Sequence, residues 1–184
     1  MKARFFREAE TAGRLNHPNI VTIYEIAEDD DQTFIVMEYI DGESLRNKIN
    51  HGISTLDEII SLCKQICEGL REAHQVGIIH RDIKPVNIMV DNRGKVKILD
   101  FGLAKFRSQE NITDESTRLG TINYMSPEQV AGDGDRIDSR TDLYSLGVVL
   151  YEMIAGQLPF RGDYEQAVIY SILNSEPANL ASPR

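Results

Sequence analysis

The fold of this chain is decided by His80-Arg81-Asp82-Ile83-Lys84-Pro85-Val86-Asn87 and by the Asp100-Phe101-Gly102 that follows it. Between these stretches, residues 87–90 and 95–99 are rich in apolar and β-branched side chains, and they flank Asp91-Asn92-Arg93-Gly94. A turn sequence between two such short runs predicts an antiparallel hairpin. Antiparallel pairing sets the residue before the first strand beside the residue after the second, so we expect Asn87 and Asp100 to lie together.

This expected pair of side chains, an amide and a carboxylate, suits a hard cation. Neighbouring strands lie about 4.8 Å apart, and Mg²⁺ prefers oxygen ligands. In the loop before the hairpin, Asp82 supplies a second carboxylate and Lys84 supplies a cation that can neutralise phosphate. Phosphoryl transfer needs charge neutralisation on the transferring oxygens and an aligned hydroxyl nucleophile more than it needs covalent help. The residues therefore predict a phosphoryl-transfer site built around a metal ion.

The composition is that of one globular domain: 184 residues, 41% hydrophobic and 27% charged. With 20 Lys+Arg against 29 Asp+Glu the formal charge is -9, the wrong sign for gripping nucleic acid or lying on an anionic membrane. No apolar run reaches the length of a bilayer span, and the amino terminus lacks the apolar stretch of a secretory signal. We therefore expect a cytoplasmic chain with no nucleic-acid partner and no membrane contact in this segment, although a longer protein could carry an anchor elsewhere.

Apolar periodicity predicts the other elements. Residues 2–15 should form a helix that Asn16-His17-Pro18-Asn19 ends, and residues 20–26 and 33–39 should form a strand hairpin. Further helices are predicted at 56–74 with a Thr55/Glu58 capping box, at 142–155 before Gly156, and at 164–173. Cys63 and Cys67, four residues apart, are interpreted as small core residues.

The residues resemble a known family, the eukaryotic-type protein kinases, and are most similar to bacterial serine/threonine kinases. His80-Arg81-Asp82 with Asn87 fits the family's catalytic loop, and Asp100-Phe101-Gly102 fits its metal-binding motif. Ser126-Pro127-Glu128 stands where the family usually has Ala-Pro-Glu. Three motifs in the right order, with a hairpin between the first two, make a specific match that covers nearly the whole chain.

The resemblance implies an α+β, bilobal protein kinase-like fold that is truncated at both ends. Residues 1–37 would be the remainder of the small lobe (the family's αC helix and its fourth and fifth strands), and residues 38–40 the hinge. Residues 41–184 would be a mostly helical large lobe without its last helices, with an activation segment at 100–128. A Gly-rich loop and a lysine strand are absent from these 184 residues, so we expect the chain to be inactive alone.

The resemblance also implies roles for the site residues. Asp82 would be the catalytic base, Lys84 would contact the γ-phosphate, and Asn87 and Asp100 would hold two Mg²⁺ ions. Lys84, together with Thr121, which in this family packs against the base and the lysine, indicates serine/threonine specificity. The implied cofactors are ATP and Mg²⁺. The implied partner is a protein substrate with a Ser or Thr acceptor, and a dimer of kinase domains for trans-autophosphorylation is a further candidate.

Nucleotide-binding positions follow from the same comparison. Glu8 matches the αC glutamate that pairs with the nucleotide-binding lysine. Met37 matches the gatekeeper, and Glu38 to Ile40 match the hinge, whose backbone carbonyl and amide hydrogen-bond adenine. We also expect Met37 to be a core residue.

Structural and regulatory roles are implied for several neighbours. Asp142 would anchor the catalytic loop through backbone amides, and His80 would pack against a buried Phe101 rather than titrate. Arg81 and Lys105 are the cations that in this family clamp a phosphorylated activation loop. The candidate phosphosites are Thr117 first, then Ser108, Thr113 and Ser116.

Two departures and two alternatives stay open. Glu128 normally pairs with an arginine that these residues lack, so we expect a costly buried carboxylate, and Val86 replaces an acidic residue that affects a peptide contact rather than the chemistry. A small-molecule phosphotransferase of the same fold would not need Arg81, Lys84 or the segment from Gly120 to Glu128. A pseudokinase-like scaffold is the second alternative, and the intact Asp82, Asn87 and Asp100 argue against it.

Overall fold

The computed structural model describes residues 15–29, 32–53, 55–101 and 120–180. The predicted first helix, except Leu15, lies outside these residues, as do Glu8, Gly102, Lys105, Ser108, Thr113, Ser116 and Thr117. Within the described part the chain order is β1 (Ile23–Asp29), β2 (Gln32–Met37), β3 (Gly42–Ser44), α1 (Leu45–His51), α2 (Leu56–Gln75), β4 (Ile88–Asp91), β5 (Val96–Ile98), α3 (Pro127–Val130), α4 (Ser139–Ala155) and α5 (Glu165–Asn174). Short 3₁₀ turns lie at Pro85–Asn87 and Gly134–Arg136.

The first sheet is the predicted hairpin of β1 and β2, which pair antiparallel. β1 begins at Ile23 rather than at residue 20, because the residues before it bond to β5 instead. Val21 N donates to Ile98 O at 2.9 Å, and Ile98 N donates to Asn19 O at 2.9 Å. This backbone contact joins the first hairpin to the second sheet.

The second sheet has the order β3-β4-β5, and both of its pairings are antiparallel. The β4–β5 hairpin is the one predicted from sequence. Its turn is closed by Asp91 Oδ1, which accepts from Lys95 N at 2.7 Å and Arg93 N at 2.8 Å. The bond from the Lys95 amide is the main reason that the pKa of Asp91 is lowered. The sequence did not predict β3, where Gly42 is required because a Cβ would overlap Val90 O.

The core lies where α2 meets α4 and the second sheet. Thr55 caps α2 as predicted, since its side chain accepts from Glu58 N at 3.1 Å. Gly69 lets α2 approach the sheet closely, because a Cβ there would come within 2.9 Å of Ile98 Cδ1. The buried face of α2 consists of Ile59, Leu62, Ile66, Gly69, Leu70 and Ala73.

The cysteines of α2 differ from the prediction. Cys63 is half-buried at the edge of the core and Cys67 is exposed. Each residue advances about 100° around an α-helix, so successive steps of four from Ile59 rotate these positions away from the buried face. The prediction that both are core residues is wrong for Cys67. Partial burial and the neighbouring Cys67 thiol raise the pKa of Cys63 to about 11.

Met37 also differs from the prediction, because it is 37% exposed. It ends β2, and a side chain at the end of a two-stranded sheet has few neighbours among the described residues. Phe101, by contrast, is 2% exposed and confirms its predicted place in the core. No helix in the described ranges combines the length and the apolar character needed to cross a membrane.

Candidate active site

A buried carboxylate on α4 anchors the loop that carries Asp82. Asp142 is fully buried, and its two oxygens accept from His80 N at 2.8 Å and from Arg81 N at 2.7 Å. The His74 side chain contacts the same carboxylate at 2.7 Å. Arg81 adopts a left-handed backbone conformation with φ 68, which is unfavourable for a residue with a Cβ and needs compensating contacts. The hydrogen bond from Arg81 N to Asp142 is one such compensating contact. The anchoring of this loop by Asp142, which the resemblance implies, is therefore present in the structure.

His80 packs in the core as predicted. Its ring meets Phe101 edge to face with the centroids 4.7 Å apart, and the residue is fully buried. Asp82 N donates to His80 Nδ1 at 3.2 Å, and His80 Nε2 lies 2.7 Å from Leu99 O. The tautomer protonated at Nε2 satisfies both contacts. Both ring nitrogens are therefore engaged in holding the backbone on either side of the site.

Four of the residues predicted for the site come together around the Asp82 carboxylate. Asp82 Oδ2 accepts from Asn87 Nδ2 at 3.0 Å and pairs with Lys84 Nζ at 3.0 Å. Lys84 Nζ also donates to Thr121 Oγ1 at 3.0 Å. The Asp82 and Lys84 side chains are each only 12% exposed, so this ion pair is weakly screened by solvent.

The β4–β5 hairpin brings Asn87 and Asp100 to adjacent strand ends. Ile88 pairs with Ile98, and Leu99 N donates to Asn87 O at 2.9 Å, so Asp100 follows directly after the residue bonded to Asn87. Asn87 Nδ2 is engaged by the Asp82 side chain and by Asp82 O at 2.8 Å. The amide oxygen of Asn87 is thus the atom that could ligate a metal.

The donor set fits Mg²⁺ better than a transition metal. One amide and one carboxylate are hard oxygen donors, and Mg²⁺ commonly takes one or two such protein ligands and completes its shell with phosphate and water. Among the residues that the structure describes, no group of three or more His, Cys, Asp or Glu side chains could hold a metal. A metal here would be shared between protein and substrate.

The segment after residue 120 is fastened to the catalytic loop. Gln129 Nε2 donates to Arg81 O at 2.8 Å, and Ser145 Oγ donates to Tyr124 O at 2.7 Å. Thr141 Oγ1 donates to Glu128 Oε1 at 2.6 Å. Glu128 is half-buried, and burial alone would raise the pKa of its carboxyl group. The hydrogen bonds from Thr141 and from the Glu128 backbone N–H have the larger combined effect, so the pKa of Glu128 is lowered. The expectation of an unpartnered buried carboxylate is therefore wrong, because α4 supplies a hydroxyl donor.

The sequence also failed to predict a polar network beside this segment. Glu152 is 6% exposed on α4, and its oxygens accept from Arg46 Nη1 at 2.8 Å and Arg46 Nη2 at 3.1 Å. Tyr124 Oη donates to Glu152 at 2.6 Å and is also in contact with the Arg46 guanidinium. Burial, followed by the bond to Glu152, raises the pKa of Tyr124. The signal in the sequence was Glu152 itself, an acid near the end of the long apolar run that follows Asp142 in α4.

A model of the family described as "Protein kinase domain" matches residues 1–181. The chain belongs to this family. Its α+β class and its membership, predicted from three motifs, are confirmed. Kinases of this family transfer phosphate from ATP with the help of Mg²⁺.

The chain is similar to curated serine/threonine kinases of bacteria. It is 41% identical over 184 residues to the probable serine/threonine-protein kinase PknB of Lactococcus lactis, covering 95% of this chain and 29% of that protein. It is 41% identical over 174 residues to the serine/threonine-protein kinase PrkC of Bacillus subtilis, covering 94% and 26%. It is 42% identical over 181 residues to the serine/threonine-protein kinase PknB of Mycobacterium tuberculosis, covering 95% and 29%. The chain thus spans less than a third of the length of these relatives.

The predicted hinge of the kinase domain connects β2 to β3. Glu38 N donates to Thr22 O at 2.9 Å, and Lys97 Nζ pairs with Glu38 Oε1 at 2.5 Å. These contacts fix Glu38 between the two sheets, while Tyr39 is 90% exposed and Ile40 is half-buried. The Glu38 amide donates to Thr22 O and is therefore not the amide that would bind adenine. The adenine-binding role of these residues stays a prediction.

Proposed function

We propose that this chain carries the phosphoryl-transfer site of a serine/threonine protein kinase, which moves the γ-phosphate of Mg-ATP to Ser or Thr hydroxyls of proteins. The observation that carries the proposal is a chain of contacts in which Asp82 binds both Asn87 and Lys84, and Lys84 in turn binds Thr121. In this proposal residues 1–37 belong to the small lobe and 41–184 to the large lobe. ATP lies between them against the hinge at 38–40.

In the proposed mechanism Asp82 orients the substrate hydroxyl and takes its proton. Among the described residues, the side chains of Lys84 and Asn87 both contact Oδ2 of this carboxylate, and we assign Oδ1 to the substrate hydroxyl. Lys84, held by Thr121 as well, neutralises charge on the transferring phosphoryl group. The amide oxygen of Asn87 and the Asp100 carboxylate would hold Mg²⁺, which would supply charge neutralisation to the phosphates when bound.

The test is phosphoryl transfer by the full-length protein to a generic protein acceptor, with labelled Mg-ATP. Asp82→Asn should lower kcat by about 10²–10⁴-fold, the usual contribution of a positioned general base. Asp163→Asn is a matched control, because Asp163 is exposed and is not one of the residues proposed for the site, and it should leave the rate unchanged. Phosphoamino-acid analysis should find label on Ser and Thr and none on Tyr.

The alternatives predict different results in the same assay. Label on an aminoglycoside or a sugar, with none on protein, would replace the proposal with a small-molecule phosphotransferase. No transfer to any acceptor by the full-length protein would favour a scaffold. Wild-type rates in Asp82→Asn would remove Asp82 from the base role.

We also propose that phosphorylation of Thr117 activates the kinase, with Arg81 and Lys105 as the cations that bind the phosphate. Support comes from the position of Arg81 next to the base, on a backbone fixed by Asp142 and by Gln129. A new phosphate could order this region through charge-assisted bonds. Mass spectrometry of the active full-length enzyme should find phosphate on Thr117, and its absence from residues 108–121 would refute the proposal.

A further inference from the structure

A cavity of about 360 Å³ lies between α2 and the first turn of α4, on residues that the proposed phosphoryl-transfer mechanism does not use. Pockets that bind small molecules have volumes of about 300–1,000 Å³, so this cavity can hold a small ligand. The residues that α2 contributes have the i, i+3, i+4, i+7, i+8 spacing of one helical face. The wall consists of Cys67, Leu70, Arg71, His74, Gln75 and Leu143.

The apolar part of the wall comes from leucines on both helices. Leu143 is 52% exposed, although it directly follows the fully buried Asp142 on α4. Leu70 belongs to the core, and Cys67 is an exposed thiol beside it on the wall. An apolar ligand would remove the exposed part of Leu143 from water, which is favourable. This part of the wall therefore favours a ligand with an apolar body.

Arg71 gives the cavity a positive charge that no acid on its wall balances. Glu68 and Glu72 are near Arg71 in the sequence, but neither lines the cavity. Within the described part of the chain, the Arg71 side chain makes no ion pair or hydrogen bond. The whole chain has 29 Asp+Glu and 20 Lys+Arg, so a wall with a base and no acid is unlike its average surface. It complements an anion, and a guanidinium binds a carboxylate through two parallel hydrogen bonds.

His74 connects this cavity to the catalytic loop. Its side chain is 16% exposed, and Nε2 lies 2.7 Å from Asp142 Oδ2. An ionised carboxylate oxygen only accepts, so Nε2 donates to Asp142. Asp142 in turn accepts from His80 N and Arg81 N, the residues next to Asp82. One imidazole ring therefore separates a ligand in the cavity from the carboxylate that anchors the loop.

We infer that this cavity is an inhibitory site for a small carboxylate with an apolar body. The body covers Leu143, the carboxylate pairs with Arg71, and the bound anion competes with Asp142 for the N–H of His74. Loss of that contact loosens the anchor of the catalytic loop. Binding of the anion is independent of the proposed function, whereas its effect on catalysis rests on that function.

The binding experiment titrates the full-length protein with 2-naphthoate and with its neutral counterpart 2-naphthamide, followed by ligand-observed NMR. The amide should bind about tenfold more weakly, because it cannot form charge-assisted hydrogen bonds to the guanidinium. Arg71→Gln should weaken 2-naphthoate binding by a similar factor. Arg93→Gln is the matched control, because Arg93 is exposed and does not line the cavity, and it should bind like the wild type.

Two further variants test the location of the probe and its effect on the loop. Leu143→Asp places a carboxylate in the cavity and should abolish 2-naphthoate binding, whereas Leu173→Asp, at a 46% exposed position on α5, should not. Saturating 2-naphthoate should lower kcat of the full-length enzyme about twofold or more, since small misplacements of catalytic groups reduce the rate. The probe should have no such effect on His74→Phe, which keeps a ring on the wall but cannot bond to Asp142.

The outcomes separate this inference from the proposed function. No binding of 2-naphthoate, as when a segment of the longer protein fills the cavity, overturns the inference, and so does equal binding of 2-naphthamide. Binding that survives both Arg71→Gln and Leu143→Asp overturns the assignment to this cavity. An unchanged kcat, or an equal effect on His74→Phe, overturns the link to the loop. Lack of kinase activity before the probe is added overturns the proposed function and leaves the binding result standing.

Discussion

Replacing Asp142 by asparagine tests whether one buried carboxylate holds the catalytic loop in place. The two carboxylate oxygens accept backbone N–H groups of His80 and Arg81, and His74 contacts the same group. Asparagine keeps one oxygen but puts an NH₂ group where the other was, so one buried N–H loses its acceptor and meets a donor. An unsatisfied buried donor costs about 1–3 kcal/mol, and bonds to a charged acceptor are worth about 1.5–3 kcal/mol.

These terms give an expected loss of about 3–5 kcal/mol in the free energy of unfolding for Asp142→Asn. That is a large part of the roughly 5–15 kcal/mol typical of a domain. The assay is denaturant unfolding, in which the midpoint should fall while the slope is unchanged. Asp138→Asn is the matched control at the start of the same helix: the Asp138 side chain is 46% exposed and caps α4, and asparagine caps equally well. The surface ion pair with Arg140 that this change weakens is worth no more than about 1 kcal/mol. A loss for Asp142→Asn no larger than that of the control would refute the anchoring argument.

Two further predictions concern the segment after residue 120. Thr121→Val removes the hydroxyl that accepts from Lys84 Nζ. Because the lysine would then be misplaced, kcat for protein substrates should fall about tenfold, with little change in KM for ATP. An unchanged kcat would show that Asp82 alone positions Lys84. The lowered pKa of Glu128 means that its contribution to stability is complete above the ordinary Glu pKa and is lost as the pH falls through the lowered value. Thr141→Val removes one cause of that lowering and should move the midpoint of acid unfolding to higher pH, as followed by circular dichroism, whereas an unmoved midpoint would contradict the role of this bond.

The parts of the site that the sequence predicted correctly are those fixed by local geometry. Asn87 and Asp100 reach adjacent strand ends because the four-residue turn Asp91-Asn92-Arg93-Gly94 sets the register of β4 and β5. The start of α2 was predictable for the same reason, since Thr55 caps it through a residue only one turn away. In both cases the residues that determine the structure lie next to those that they position.

The predictions that failed depend on contacts distant in sequence. Cys67 is exposed although it lies four residues from Cys63, because α4 and β5 cover one face of α2 and successive steps of four residues have rotated Cys67 away from that face. The partner of Glu128 is Thr141 on α4, which no motif marked. The start of β1 moved because Val21 bonds to β5 instead. Each of these contacts forms only when the helices and sheets pack together.

The same distinction explains why the sequence predicts the residues proposed for phosphoryl transfer better than it predicts the polar network beside them. The residues proposed for phosphoryl transfer lie on one loop and one hairpin, so a short sequence pattern can carry them. The Arg46–Glu152–Tyr124 network joins α1, α4 and the segment before α3. Its hydrogen bonds form only when these elements pack together, so no short sequence pattern predicts them.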